Sequence, residues 1–200
     1  MESSLLMRVA ARLAELVLRI SRESGNFQAF IHLASADARS MATPVMTSQE
    51  LASYFRDPLC IFDLKATTKR DALAELVEAV CADRDIRDRG LILEMLLNRE
   101  SLGSTAIGKG VAFPHGRTLA VRELSIAFGR SVSGVDFDSI DKQPTHVFFL
   151  IIAPPQDRDN LYLQVLGRVV DLIKDDAARG RIMGASSVGE LKSIVEGQGL

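Results

Sequence analysis

The sequence contains little cysteine: Cys60 and Cys81 are far apart in the chain, and neither has a metal-ligand partner close by. Cys60 lies in an apolar run and Cys81 on the apolar side of a predicted helix, which is typical of small buried side chains. A disulfide framework or a zinc site would need more such residues at closer spacing. We therefore expect two reduced thiols and a cytoplasmic location.

The sequence also lacks a large excess of charge of either sign. The formal net charge is -2, from 24 basic and 26 acidic residues. A chain with this balance has no overall field that would attract nucleic acid or an anionic membrane surface. We expect no nucleic-acid partner.

No uninterrupted apolar run occurs near the N-terminus, because charged residues recur every three or four positions between residues 5 and 20. This pattern excludes a signal peptide or a membrane span there, and we expect no integral membrane segment. The apolar residues of the same stretch follow helical spacing and predict an extra N-terminal helix. That helix would pack on its own domain or bind a partner or a membrane surface.

The stretch over residues 24–48 is typical of a linker, since it is rich in serine and alanine and includes Ser24, Gly25 and Pro44. We therefore predict a helical extension and linker over residues 1–46 and a folded domain over residues 47–200. A physiological start at Met41 or Met46 is an alternative that would remove the extension.

Strand-like and helix-like segments alternate beyond the linker, which indicates an α/β layered domain. The nearly unbroken apolar run over residues 147–153 suits a central strand covered on both faces. Thr68 and Asp71 form a helix N-cap pattern, and Ser187 and Glu190 form another. The predicted strands are 59–64, 111–113, 124–129 and 147–153, and the predicted helices begin near residues 68, 87, 160 and 187.

Motifs for metals and nucleotides are absent from the sequence. No paired-histidine metal spacing and no Walker phosphate loop occurs, and Gly108-Lys109-Gly110 lacks a third glycine and a preceding long strand. We expect neither a metal nor a cofactor.

The segment over residues 99–117 carries the chemistry. Gly108 and Gly110 permit a tight turn, and Pro114 stiffens the chain after a short strand. We expect His115 to emerge just beyond that strand with an accessible ring, and Gly116 to let a backbone or a partner approach it closely.

A histidine in this position can act as a nucleophile, because a neutral imidazole has one nitrogen with a free lone pair. A phosphoryl group on it would add negative charge, which a guanidinium can bind through two donors. Arg99 and Arg117 flank the segment. Considered from the residues alone, a loop histidine that merely hydrogen-bonds its neighbours is the alternative.

The run from Glu100 through Ile107-Gly108-Lys109-Gly110-Val111-Ala112-Phe113-Pro114-His115-Gly116 resembles the active-site signature of type-2 enzyme IIA domains. These are the mannitol, fructose and nitrogen-regulatory IIA proteins of the bacterial phosphoenolpyruvate-dependent phosphotransferase system. The resemblance covers about residues 50–196 and is strongest to the stand-alone nitrogen-regulatory type. It implies a mixed β-sheet flanked by helices on both faces.

The resemblance also implies a function. His115 would accept a phosphoryl group from an HPr-type carrier protein and pass it on, and Arg99 would stabilise that group. Arg117 would bind it or be a solvated charge. The downstream partner would be a separate IIB component or a regulated target protein. A protein-interaction module of the same fold that acts without phosphorylation is the second hypothesis.

Asn160 is a departure from the family pattern, because many members have a second histidine at the matching position. Asparagine can hydrogen-bond to His115 or to a phosphoryl oxygen, but it cannot carry a positive charge. The alternative is that Asn160 only caps the following helix.

Overall fold

The computed structural model describes residues 46–157 and 160–198. The predicted N-terminal helix and most of the predicted linker lie outside the described residues. Thr47, the first residue of the predicted domain, caps its first helix: the Thr47 hydroxyl accepts a hydrogen bond from the Glu50 N–H, and the Glu50 carboxylate accepts one from the Thr47 N–H.

The described part of the chain alternates helices and strands. The helices are α1 (Ser48–Ser53), α2 (Lys69–Arg84), α3 (Arg89–Ser101), α4 (Leu161–Lys174), α5 (Asp176–Gly184) and α6 (Val188–Val195). The strands are β1 (Cys60–Ile61), β2 (Ala106–Gly108), β3 (Val111–Ala112), β4 (His115–Arg117), β5 (Ser125–Val135) and β6 (Thr145–Ala153).

The sheet is built around β6. Its order is β1-β5-β6-β3-β2, and β4 pairs with β6 on the same side as β3 but further along the strand. Strand β5 runs antiparallel to β6, whereas β3 and β4 run parallel to it. The sheet is therefore mixed, and β6 is its centre.

Both faces of the sheet are covered by helices. Phe148 and Leu150 of β6 pack into a core with α2 and α3, whereas Phe149 and Ile151 pack into a second core with α1, α4, α5 and α6. Because successive side chains of a strand point to opposite faces, a nearly continuous apolar run is what such a position requires. The predicted fold class is confirmed.

Several predicted elements differ in the structure. The predicted strand over residues 59–64 is wrong in most of its length, because Leu59 ends a 3-10 turn and β1 has only two residues. The helical spacing of the apolar residues in α3 predicts a buried Leu91, but this residue is 54% exposed. Helix α5 was not predicted, because it buries only Ala178 and Ile182 and therefore has little apolar periodicity.

Candidate active site

Strand β4 places the candidate residues, and here the structure corrects the sequence-based expectation. His115 does not lie in a loop beyond a strand; it is the first residue of β4 and pairs with Ile151 of β6. The Pro114 carbonyl accepts a hydrogen bond from the Ile151 N–H at 2.9 Å, and the Thr118 N–H donates to the Ala153 carbonyl at 3.0 Å. These two bonds hold the chain along β6.

Alternation along β4 determines which site residues meet. His115 and Arg117 point to the face covered by α4, where both contact Tyr162. Gly116 points to the other face and lies against Met95 of α3. The structure therefore brings His115 and Arg117 together and turns Gly116 away from them.

The His115 ring is buried, with 4% of the residue exposed. This contradicts the expectation of an accessible ring. Its centroid lies 6.1 Å from that of Tyr162 in an edge-on arrangement, beneath the beginning of α4. His115 begins a strand that pairs with β6 and lies beneath α4, so these elements cover its ring. A residue in a loop would lack this cover.

The protonation of the ring follows from one hydrogen bond. His115 Nδ1 lies 2.7 Å from the Phe113 carbonyl oxygen. A carbonyl oxygen can only accept, so Nδ1 carries the proton and Nε2 has the free lone pair. Among the described residues, Nε2 is buried and has no hydrogen-bond partner.

The pKa of His115 is lowered to about 4, first by burial and then by the positive charge of Arg99, against a small opposing effect of the Phe113 hydrogen bond. Burial disfavours the charged imidazolium, and a neighbouring cation disfavours it further. The ring is therefore neutral at cellular pH.

Arg99 is in the last turn of α3, and its Nη1 donates to the Gly103 carbonyl at 3.0 Å. Its Nε and Nη2 atoms are buried and have no hydrogen-bond partner within the described ranges. Buried donors without partners are costly and uncommon in folded proteins. Arg99 Nε, Arg99 Nη2 and His115 Nε2 are therefore three buried polar atoms without hydrogen-bond partners among the described residues. An oxyanion group could accept hydrogen bonds from the two Arg99 donors.

Arg117 is held by two groups that the sequence analysis did not single out. Its guanidinium carbon lies 4.7 Å from the centroid of Tyr162, and its Nη2 lies 3.8 Å from a carboxylate oxygen of Asp157. The Asp157 carboxylate also accepts hydrogen bonds from the Leu161 and Tyr162 N–H groups at 2.9 and 2.8 Å. Asp157 is a residue type that caps helices, but the sequence contains no signal for the role of Tyr162.

Asn160 occupies the N-cap position of α4 in the left-handed region, with φ 53° and ψ 31°. Asparagine tolerates this region better than most residues. Its exposed side chain makes no capping hydrogen bond, because Asp157 binds the helix amides instead. Asn160 is therefore the N-cap residue of α4 by position, but its side chain does not supply the capping hydrogen bond.

Gly116 has a packing role that differs from the expected one. A Cβ added there would lie 2.1 Å from Met95 Sδ and 2.8 Å from its Cε. The closest approach within the described residues is made by the Met95 side chain of α3, not by a backbone segment.

Two further findings concern the described residues only. No group of three or more histidine, cysteine, aspartate or glutamate side chains is arranged there to hold a metal ion. None of the helices in this part of the chain combines the length and apolarity needed to cross a bilayer.

The site is a buried, neutral histidine near the positive charge of Arg99, on a mixed sheet covered by helices on both faces. Residues 53–197 match the family model described as phosphoenolpyruvate-dependent sugar phosphotransferase system, EIIA 2, and the chain belongs to that family.

Similar proteins include single-domain and multidomain members. The chain is 33% identical over 132 residues to a nitrogen regulatory protein of Bradyrhizobium diazoefficiens, covering 66% of this chain and 85% of that protein. It is 35% identical over 133 residues to the fructose-specific EIIABC component of Bacillus subtilis, covering 66% of this chain but only 21% of that protein. The chain thus spans about a fifth of the multidomain relative.

Solved structures agree with this assignment. The nitrogen regulatory protein IIA-Ntr of Neisseria meningitidis superposes with a TM-score of 0.67 and 27% identity, covering 72% of this chain and 98% of that one. The mannitol IIA of Escherichia coli, at 22% identity and a TM-score of 0.58, has the same fold.

Proposed function

We propose that Nε2 of His115 accepts a phosphoryl group from a histidine-phosphorylated HPr-type carrier. One observation supports this proposal above the others: the ring is neutral, its proton is held on Nδ1 by the Phe113 carbonyl, and the unprotonated Nε2 lies where the charge of Arg99 acts on it.

The transfer needs no proton to leave His115. The Nε2 lone pair attacks the phosphorus, the N–P bond of the donor histidine breaks, and its electron pair returns to the donor ring. The product is a phosphohistidine that keeps the Nδ1–H to Phe113. Nε and Nη2 of Arg99 are suited to bind the oxygens of the transferred group, because charge-assisted hydrogen bonds from a guanidinium are strong.

Burial of the ring requires that the site open before a donor reaches Nε2. Arg117 is the side chain best suited to move, because its side chain is 34% exposed and its ion pair with Asp157 is long at 3.8 Å. Arg117 would then turn to the phosphoryl group as a second cation. Asn160 would contribute at most a neutral hydrogen bond from the exposed end of α4.

The cellular role that we propose is regulatory phosphoryl signalling in nitrogen or carbon metabolism, in the cytoplasm, by a domain over residues 47–200. The similarity to nitrogen regulatory proteins supports this role. A separate IIB component is the alternative downstream partner, since a mannitol IIA of the same fold has been solved with its phosphorylated IIB.

The experiment is phosphoryl labelling from phosphoenolpyruvate through enzyme I and an HPr-type carrier. We expect label on the whole chain and on His146→Gln, the matched control on β6, but not on His115→Gln. Equal labelling of both variants, or no labelling of the unmodified chain, would contradict the proposal.

A second candidate is an interaction module that acts without phosphorylation. The buried ring and the presence of Asn160 in place of a second histidine favour it. A pull-down with the unmodified chain, His115→Ala and His115→Asp separates the two. Identical partners and affinities for all three would support the module, whereas partners that change with His115→Asp would support a phosphorylation switch.

A further inference from the structure

Glu100 is a buried carboxylate that the proposed transfer does not use. It lies in the last turn of α3, is 6% exposed, and accepts hydrogen bonds from both the Thr105 N–H, at 3.0 Å, and the Thr105 hydroxyl. Lys69 Nζ lies 3.9 Å from the carboxylate oxygen that accepts from the Thr105 N–H. Burying a charge in this way is costly unless it is fully hydrogen-bonded, so the position demands an explanation.

Thr105 connects this carboxylate to the active histidine through the backbone. The Thr105 carbonyl accepts a hydrogen bond from the Phe113 N–H at 3.1 Å. The Phe113 carbonyl in turn accepts the Nδ1 proton of His115 at 2.7 Å. Three successive contacts thus lead from Glu100 to Nδ1 of the His115 ring.

The same short loop also positions Arg99. The Gly103 N–H donates to the Glu100 carbonyl at 3.0 Å, and the Gly103 carbonyl accepts from Arg99 Nη1 at 3.0 Å. Glu100 therefore fixes both ends of residues 103–105, one through its carbonyl and the other through its carboxylate. A displacement of this loop would move the histidine and the arginine together.

We propose that Glu100 is the positioning residue of the site: through Thr105 and Phe113 its carboxylate holds His115 in the Nδ1–H tautomer, and by holding Thr105 it fixes the loop whose Gly103 carbonyl accepts from Arg99. It touches neither the ring nor a phosphoryl group. This proposal rests on the proposed function for its effect on transfer, but its effect on the tautomer can be measured without transfer.

Two substitutions distinguish positioning from mere stabilisation. Glu100→Gln retains an oxygen for the Thr105 N–H and an amide that can donate to the Thr105 hydroxyl, so it removes the charge and keeps the contacts. Glu100→Leu removes both contacts. Glu94→Gln, on the exposed side of the same helix, is the matched control.

The measurement is nitrogen-edited NMR of the His115 ring in the unphosphorylated protein, combined with the labelling rate. We expect a single Nδ1–H tautomer in the unmodified chain, Glu94→Gln and Glu100→Gln. In Glu100→Leu we expect mixed tautomers and transfer slower by about 100-fold, the loss typical of a 1 Å misplacement. An unchanged tautomer and rate in folded Glu100→Leu would overturn the proposal.

If Glu100→Leu does not fold, Thr105→Val tests the proposal instead. It removes the hydroxyl contact alone and should move the tautomer ratio and the rate in the same direction, by less. Unchanged values in folded Thr105→Val would then overturn the proposal. If the tautomer shifts as expected while the unmodified chain accepts no phosphoryl group, positioning by Glu100 stands and the proposed function fails.

Discussion

The imidazole of His115 is neutral because its surroundings cannot accommodate a second proton. Nδ1 already donates to the Phe113 carbonyl, Nε2 has no acceptor among the described residues, and the charge of Arg99 opposes an imidazolium. Nε2 is thereby unprotonated at any physiological pH. The same features make folding depend on pH in a defined window.

We expect the free energy of unfolding to fall as pH decreases from 6.5 to 4. The pKa of His115 is lowered from 6.5 to about 4 in the folded protein, so in this window the unfolded chain binds the proton that the folded chain does not. The loss due to this residue at pH 4 is roughly 3 kcal/mol. Denaturant unfolding across the window, compared with His115→Gln, measures it. If the free energy of unfolding falls equally with pH in the unmodified chain and in His115→Gln, His115 is not the cause of the fall.

Arg99 should matter for transfer more than for folding. Arg99→Lys keeps a positive charge but loses the forked donors, so we expect transfer to slow by about 100-fold, as when one preorganised donor is removed. Labelling kinetics measure this effect, and Arg122→Lys at an exposed position is the control. Equal rates for the two variants would exclude Arg99 from the phosphoryl site.

The sequence indicated His115, Arg99 and Arg117 but not the residues that hold them. Their identification rested on a local motif, which a resemblance can transfer residue by residue. Tyr162 and Asp157 reach the site only because α4 begins beside β4, through contacts between residues 40 or more positions apart. Nothing local in the chain encodes it.

Among the elements, the short strand β4 contributes most to the site. Its alternating residues place His115 and Arg117 on the face covered by α4 and Gly116 on the face covered by α3. The contact between Gly116 and Met95 sets how closely α3, and with it Arg99, approaches the strand. This contact can be tested by a double-mutant cycle.

Gly116→Ala should destabilise the fold by about 1 kcal/mol, the low end for overpacking, because the Met95 side chain is flexible enough to yield. The cost should be smaller when Met95 is also alanine, since the added methyl group then has space. Thermal or denaturant unfolding of the four proteins measures the coupling. A cost of Gly116→Ala that is the same in both backgrounds would show that Met95 is not its cause.

Elements with strong local signals were predicted best. Helix α2 begins after the predicted cap at Thr68 and buries Cys81, which the sequence placed on its apolar side. The length of strand β1 was overestimated, because this two-residue strand is defined only by its pairing with β5. Helix α5 was missed, because it is short and only two of its side chains are buried.

At the scale of the whole molecule, β6 organises two cores, and its apolar run allowed the layered fold to be predicted from the sequence. The first described residue, Met46, already makes specific contacts with the rest of the domain. Met46 is 5% exposed, and its N–H donates to the Gln164 side chain at 2.9 Å. Helix α1 buries Leu51 and Ala52 in the core.

A chain that starts at Met46 should therefore fold and accept a phosphoryl group at the rate of the full chain. A chain that starts at Tyr54 lacks α1 and should be markedly less stable, because Leu51 alone removes buried area worth about 2 kcal/mol. Thermal unfolding and labelling of both check this expectation. Loss of folding or labelling in the chain from Met46 would show that residues 1–45 contribute to the domain.

The most direct test of the account is the position of the phosphoryl group on the ring. Heteronuclear NMR of the nitrogen-15-labelled, phosphorylated protein can distinguish the two ring nitrogens. We predict a phosphoryl group on His115 Nε2, with the proton still on Nδ1 and hydrogen-bonded to Phe113. Phosphorylation of Nδ1, or of any other residue, would contradict the account.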